Sequence, residues 1–534
     1  MLFGKTRSVN ILLKLLLPLL VILIISAWSL SDVLKNPSTA LVNAGDDILI
    51  TWIINQNIQK IPNNLGNLFQ GNIFYPYENT MAYSDLFLPS SLIAYIPVKL
   101  TGLPILGYNI NLFVGQIATM LVIYLWFLEM MKNKTPSLLG SIALGLSQIR
   151  IHYYAHLQMW NMQWWLLASW MIWKFSKLGK VKYLYFAGVT VAIQFWESVL
   201  PVYFFGAVAS IVLLPKIKEL LVNWRHLLVI FLVTFFLTFP AIKTYYEVSF
   251  EFNYQRSIRD AAHFSMSVND LGETFLSPGL YSLFLISLVI IFKKLKTQRN
   301  NLYWLSGLLI FGILMSFGPV LKWEGATVKF FDKYFIPLPY GLFYYTIPGF
   351  TALRTPLRWL WVSTFAASGF IAFSISLYKS RIKYLVLLGG FAIAILGGRQ
   401  VPVETYAPTP DKYPEVYSFL KRLPGDAILE LPMYTWGHGE IYKQEFWRML
   451  YSLEHKKNLV NGTSGFTPLD REILAGNLEK DFPSIETEEI LSEINVNYIL
   501  VHKNQFTQDK IVIIKSWGKE KLIWEDAETL VYKL

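Results

Sequence analysis

The chain has no cysteine, so it forms no disulfide and offers no thiolate to a metal, and thiol chemistry is excluded. That absence says little about compartment, because disulfides are optional outside the cytosol. Charge is also scarce. Only 16% of the 534 residues are Asp, Glu, Lys or Arg, against 54% hydrophobic and 16% aromatic, with a mean hydropathy of +0.40. A soluble globular surface cannot be built from that balance. A Gly-rich phosphate loop is missing, which removes the common nucleotide-binding motifs, and no internal repeat or low-complexity run is found.

What the chain does have is apolar runs near the length of about 20 residues that crosses a bilayer, recurring from Leu12 to Leu396. From Val403 to Leu534 it reads as ordinary soluble sequence. The expected fold class is therefore an α-helical polytopic membrane protein with a C-terminal extracytoplasmic α/β domain. Residues 1–400 form the membrane domain, with a large first outer loop over 31–107, and 401–534 form the soluble domain. The net charge of +11 needs no nucleic acid partner, since most Lys and Arg fall in short clusters between apolar runs, as cytoplasmic loops do. The first run, Ile11 to Trp28 behind Lys5 and Arg7, is too long for a signal peptide and lacks an Ala-x-Ala site, so it reads as a first membrane helix.

Sidedness follows from testing whether the basic clusters keep returning to one face. With a cytoplasmic N-terminus they do: Lys132 and Lys134, Lys174 to Lys182, Lys216 to Arg225, Lys293 to Arg299 and Lys379 to Lys383 all fall inside. The run Tyr183 to Leu214 is too long for one crossing and holds Glu197 and Pro201 near its middle, so it splits into a pair turning at the outer face. The length rule then gives about 11 transmembrane helices. The acidic first loop, Glu247 to Ser277, Leu321 to Thr355 and the soluble domain share the outer side. Leu86 to Ile96, short and containing Pro89, reads as an interfacial helix on that face.

In the soluble part, Pro414 to Arg422 and Glu486 to Ile494 read as helices. Ala427 to Leu431 and Tyr498 to Val501 read as strands, and Ile511 to Ser516, Lys521 to Trp524 and Leu530 to Lys533 as a terminal β-meander.

Several residues could carry chemistry. Asp46 and Asp47 follow the first span, close to the outer membrane surface; they read either as a general base for an acceptor hydroxyl or as caps of a helix over Ile48 to Ile58. Asp85 has the same dual reading, as second acid or cap. Glu197, between Trp196 and Ser198, either faces a cavity or marks an exposed turn, because a carboxylate in hydrocarbon is costly. His152 and His156, four apart, would share a helical face, fit for phosphate contact or a polar cap; no third ligand completes a metal site. Thr355-Pro356 reads as an N-cap with Pro in the first turn, which with Arg354 and Arg358 suits a phosphate or pyrophosphate, although arginines also anchor lipid headgroups. Trp160, Trp164, Trp165, Trp170 and Trp173 read as interface belt or packing.

This arrangement resembles the GT-C superfamily of membrane glycosyltransferases, more narrowly its prokaryotic members. The likeness runs through Gly45-Asp46-Asp47, Asn72 to Pro76 with Tyr83-Ser84-Asp85, the His152 region, Pro348-Gly349-Phe350 through Arg354 and Arg358, then Leu429 to Pro432 and Val460-Asn461-Gly462. The resemblance implies that an acid in the first outer loop is the catalytic base and that the donor is a polyprenyl-phosphate sugar. Carried across, Asp46 or Asp47 would be the base, Asp85 or Glu197 an accessory acid, and Arg354 or Arg358 would hold the donor phosphate. No cofactor is demanded, and a divalent metal stays an open option. The expected activity is sugar transfer to a hydroxyl of a glycan, lipid or protein at the outer face of the cell membrane. The alternatives are a transporter or flippase of lipid-linked glycans, which would need polar residues through the bilayer, and a non-catalytic membrane assembly factor.

Overall fold

A computed structural model describes residues 3–294, 299–331, 333–377 and 382–534. Lys296, Lys379 and Arg381, expected on the inner face, lie outside the described residues. Among the described residues, four helices are long and apolar enough to cross a membrane: Pro104–Met131, Leu200–Val222, Trp224–Glu251 and Pro356–Ser376. A bent pair, Val268–Thr274 with Pro278–Ile291, makes up to five, and Leu16–Ser29, Asn301–Ser316 and Leu387–Leu396 are shorter apolar helices. The chain is thus a multi-pass membrane protein with a sheet-containing C-terminal region.

It divides into two compact units. The first gathers Met1–Lys35, Asn111–Pro240 and Gln255–Pro402 and is helical in its core. Its centre is the helix Leu360–Ser376, apolar around its whole circumference and buried on every side by Lys134–Gly145, Pro278–Lys294 and Arg299–Ser316. Such a helix can only be a central one. Trp126 stacks on Trp304 with ring centroids 5.8 Å apart, and Phe365 of the central helix fills the angle between them. Close approach is achieved with small residues: a Cβ on Gly140 would stand 2.8 Å from that of Ala372. By contrast, Trp224–Glu251 leaves Phe231, Phe236 and Leu228 exposed, as a helix facing lipid does.

Several local readings change. The run Leu157 to Trp173 breaks at Asn161 and Met162 into Leu157–Trp160 and Gln163–Leu178. The expected pair after Tyr183 does form, as Lys182–Glu197 and Leu200–Leu213, breaking at Ser198 and Val199 just ahead of Pro201. The stretch expected as an interfacial helix, Leu86 to Ile96, forms the helix Leu88–Thr101 with Pro89 in its first turn.

The second unit gathers Asn36–Ile110, Ala241–Tyr254 and Val403–Leu534. Its five-stranded mixed sheet has the spatial order Leu522–Glu525, Thr529–Lys533, Tyr498–His502, Ala427–Leu431, Asn458–Leu459. The last three are mutually parallel and the first two join by antiparallel pairing. The strand Ala427–Leu431 is buried along its whole length, which explains its uninterrupted apolar reading. The expected strand at Ile511 to Ser516 is instead the helix Gln508–Trp517. Thr507 caps it, and Ile511 and Ile514 are buried while Val512 and Ile513 are exposed, a spacing of three that a strand cannot satisfy. Short antiparallel pairs tie the first loop to the soluble domain: Ala40–Leu41 pairs with Thr405–Tyr406. The helix Asp46–Lys60 lies against Gln444–His455.

Candidate functional site

The acidic loop of the second unit folds around one of its own carboxylates. Asp47 is fully buried, and its Oδ2 accepts the backbone N–H of Val42 at 2.7 Å and Asn43 at 3.0 Å, while Oδ1 accepts those of Gly45 at 3.0 Å and Ile48 at 2.9 Å. Burial raises the pKa of this carboxyl above the usual aspartate value, with the four amides working against that rise. All of its acceptor capacity is spent on the loop. Asp46 begins the helix beside it and is half-buried. Gly45, not an aspartate, is the N-cap residue, so neither Asp caps the helix in the simple sense.

Asp85, also half-buried, lies on the stretch Tyr83-Ser84-Asp85. Tyr245 packs beside it and donates its hydroxyl to the carbonyl of Ser84 at 3.3 Å.

The cationic residues belong to the first unit. His152 ends the short helix Gln148–His152 and His156 precedes the next, so they do not share one helix face as expected; both rings meet Tyr153 edge-on instead. Arg358 donates to the Tyr153 hydroxyl and lies 5.5 Å from that ring's centroid. Burial and, after it, the Arg358 guanidinium lower the pKa of His152, which keeps the imidazole neutral near pH 7. Thr355 does not cap through its side chain, and Pro356–Trp359 is a 3₁₀ turn ahead of the helix proper. The cationic groups at this turn are the arginines and not a capped helix end. Arg354 lies over the Phe264 ring at 5.4 Å.

The residue that sequence reading left out of the site is Arg150. It is fully buried; its Nε donates to Gln116 Oε1 at 2.6 Å, and its guanidinium lies 4.1 Å from the centroid of Trp160 and 5.5 Å from that of Trp361. Nη1 of Arg150 and Nε of Arg358 are buried with no hydrogen-bond partner among the described residues. The signal was present in the sequence as an arginine beside an apolar run, where only a cavity or a counter-charge makes it tolerable. Trp160, read as packing or belt, holds this cation against its face. Glu197 is fully buried as well and accepts from Asn161 Nδ2 at 3.1 Å, so it lies inside the unit and not on an exposed turn. A Cβ on Gly115 would overlap the Asn161 amide, which is why glycine stands there.

Among the described residues, no group of three or more His, Asp or Glu converges as metal ligands would.

No protein-family model matches the sequence, and no curated protein matches it. Among solved structures, the chain is similar to the arabinofuranosyltransferase AftD from Mycobacteria, at 12% identity and a TM-score of 0.62, over 97% of this chain and 40% of that one. The chain thus spans less than half of that protein's length. At that identity the likeness shows a shared fold. Fainter likenesses run to ArnT from Cupriavidus metallidurans bound to undecaprenyl phosphate, at 11% identity and a TM-score of 0.48 over 97% of this chain and 98% of that one. The oligosaccharyltransferase of Archaeoglobus fulgidus gives 11% identity and 0.47 over 96% and 72%. In this chain the acids Asp46, Asp47 and Asp85 belong to one compact unit, and Arg150, His152, Glu197, Arg354 and Arg358 to the other.

Proposed function

We propose that the protein is a glycosyltransferase that moves a sugar from a polyprenyl-phosphate-linked donor to a hydroxyl acceptor at the outer face of the cell membrane. The observation that carries this reading is the uncompensated positive charge of the first unit, Arg150 Nη1 and Arg358 Nε buried without partners among the described residues. A buried guanidinium is tolerable when an anion completes it, and a phosphate supplies both the charge and the acceptor oxygens. The fold shared with an arabinofuranosyltransferase supports the same chemistry.

In this scheme Asp46 takes the proton of the acceptor hydroxyl as its oxygen bonds to the anomeric carbon. The bond from that carbon to the phosphate oxygen breaks, and its electron pair leaves with the phosphate. Arg358 and Arg150 stabilise the charge gathering on that phosphate, with Arg354, His152 and His156 at its margin. Asp47 is assigned to shaping the loop that presents Asp46, because its own oxygens are engaged by four amides. Asp85 and Glu197 are placed as accessory acids. The lengths of the apolar runs favour about eleven crossings, and the basic clusters a cytoplasmic N-terminus and an outer C-terminal domain. No step is routed through a metal.

The test is transfer from radiolabelled polyprenyl-phosphate sugars by purified protein, comparing wild type with Asp46→Asn, Asp47→Asn and Arg358→Met. Loss in Asp46→Asn and Arg358→Met with retained folding is expected. Undiminished transfer in Asp46→Asn and in the double aspartate variant would remove the proposed base.

A further inference from the structure

A short ribbon of the first unit carries more exposed aromatic surface than an aqueous loop sustains. Lys329–Phe330 pairs antiparallel with Tyr334–Phe335, with Phe330 opposite Tyr334 and Lys329 opposite Phe335. Directly opposed residues share a face. Phe330 and Tyr334 therefore stand on one side of the ribbon, Phe335 stands on the other beside Lys329, and Phe331 lies at the turn. Their exposures are 61%, 60%, 60% and 82% in that order, so no part of the chain covers any of the four rings. Asp332 lies outside the described residues.

These rings do not belong to a span. Phe231 and Phe236 are exposed on a helix long enough to face hydrocarbon, whereas strands of two residues with open edges cannot enter it, because their backbone groups would lose water without gaining partners. Yet the ribbon starts beside a span. A Cβ on Gly318 would stand 3.3 Å from Cγ of Pro356, the first residue of the membrane-crossing helix Pro356–Ser376. Two residues later, at most about 7 Å along the chain, Val320 bridges Pro337 and closes the base of the ribbon. The turn before it is tied down: Lys322 Nζ donates to the His263 carbonyl at 3.1 Å, and the backbone N–H of Glu324 to Asn269 Oδ1 at 2.8 Å. The aromatic strands are thus held near the level at which hydrocarbon gives way to headgroups.

Lipid suits these strands better than a protein partner does. A protein surface covers one face of a ribbon, while here the rings leave by both faces and by the turn, which calls for an environment that surrounds them. The charged side chains described on the ribbon are Lys329 and Lys333, whose long stems let an ammonium reach lipid phosphates while neighbouring rings sink. Lys333 Nζ already lies 5.4 Å from the centroid of Tyr334. Aromatic rings with flanking lysines are the composition of a membrane interface. We propose that this ribbon lies in the headgroup layer of the leaflet at Pro356, with Phe330, Phe331, Tyr334 and Phe335 at the acyl boundary and Lys329 and Lys333 at lipid phosphates.

The proposal does not depend on the transferase reading. Because the chain has no cysteine, a single introduced one carries a nitroxide at a chosen site. Phe331→Cys and Phe335→Cys are labelled in the full chain in nanodiscs of phosphatidylcholine and phosphatidylglycerol. Leu228→Cys on the exposed side of Trp224–Glu251 serves as the lipid reference, and Glu520→Cys on the soluble domain as the water reference. The ratio of collision with oxygen to collision with a water-soluble nickel chelate is expected to exceed that at Glu520 several-fold at both ribbon sites, approaching that at Leu228. Phe330→Asp should return the ratio at Phe335 several-fold toward the water value. A water-like ratio at either ribbon site would overturn the proposal. Exclusion of both reagents would overturn it as well, by showing a protein partner or a second copy on the ribbon, and a ratio unmoved by Phe330→Asp would overturn the part given to the rings.

Discussion

Arg471 donates through Nη2 to Glu445 Oε2 at 3.2 Å, and both side chains are almost wholly withdrawn from water. The other oxygen of Glu445 accepts from Arg448, from the backbone of Tyr434 and from Asn461. Arg448 also reaches the buried Glu430, which accepts from His502 at 2.8 Å. Burial raises the pKa of Glu430, but His502, Arg448 and His455 together bring it below the usual glutamate value. This charged core joins the helices Gln444–His455 and Leu469–Asp481 to the strand Ala427–Leu431.

Glu445→Ala should therefore be severe. It leaves the Arg471 guanidinium buried without a counter-charge and Arg448 with Glu430 alone, for which about 3–5 kcal/mol of destabilisation is expected. Glu454→Ala, which breaks the exposed pair with Lys421 at 2.9 Å, should cost about 1 kcal/mol or less. Thermal unfolding of the intact protein in detergent compares the two, and equal shifts would contradict the reading.

The two first-loop aspartates should separate. Asp47→Asn sets an amide N–H₂ against backbone N–H donors and should lower stability by about 1–3 kcal/mol, with activity falling in proportion to folded protein. Asp46→Asn should leave the melting temperature within a degree or two of wild type while abolishing transfer. A melting curve and a transfer assay on each variant decide it.

Arg150 offers the opposite combination. Because its charge lacks a full set of partners, Arg150→Met should not reduce thermal stability, yet it should weaken binding of a polyprenyl phosphate by about tenfold or more. Loss of stability together with unchanged lipid binding would make Arg150 a packing residue.

Acid should loosen the second unit. Burial lowers the pKa of His455 to about 4, so the folded state keeps it neutral where the unfolded chain takes up a proton. The unfolded state binds more protons between about pH 6.5 and 4, so stability is full above that window and falls as pH drops through it, by roughly 3 kcal/mol at its end. Glu430, with its pKa lowered, adds a loss in the same direction below its unfolded value. His455→Gln should flatten the melting temperature against pH between 6.5 and 4.5.

How much of this was legible follows from where the determinants lie. Ala427 to Leu431 and Tyr498 to Val501 were readable because a strand buried on both faces needs an unbroken apolar run. The helix Gln508–Trp517 was not, since its β-branched residues suggest a strand and only the burial of Ile511 and Ile514 shows the period. Asp46, Asp47 and Arg358 stood out as charges in apolar surroundings. Which aspartate is engaged could not be read, because that depends on four backbone amides whose directions are set by the folded loop. A cavity in the second unit was hidden for a similar reason: its walls come from Glu251, Phe252 and the stretch Phe466 to Glu472, with no common motif.

The edge strand Asn458–Leu459 is covered by the early loop. Leu459 donates to the carbonyl of Asn72 at 2.8 Å, Tyr75 donates to that of Leu459 at 2.8 Å, and the Asn72 side chain reaches Lys457 across 385 residues of chain. A secreted fragment starting at Val403 would emerge with that margin bare, open to pairing with its own copies and prone to clump. During synthesis the same margin, once made, must find a partner strand 385 residues earlier in the chain.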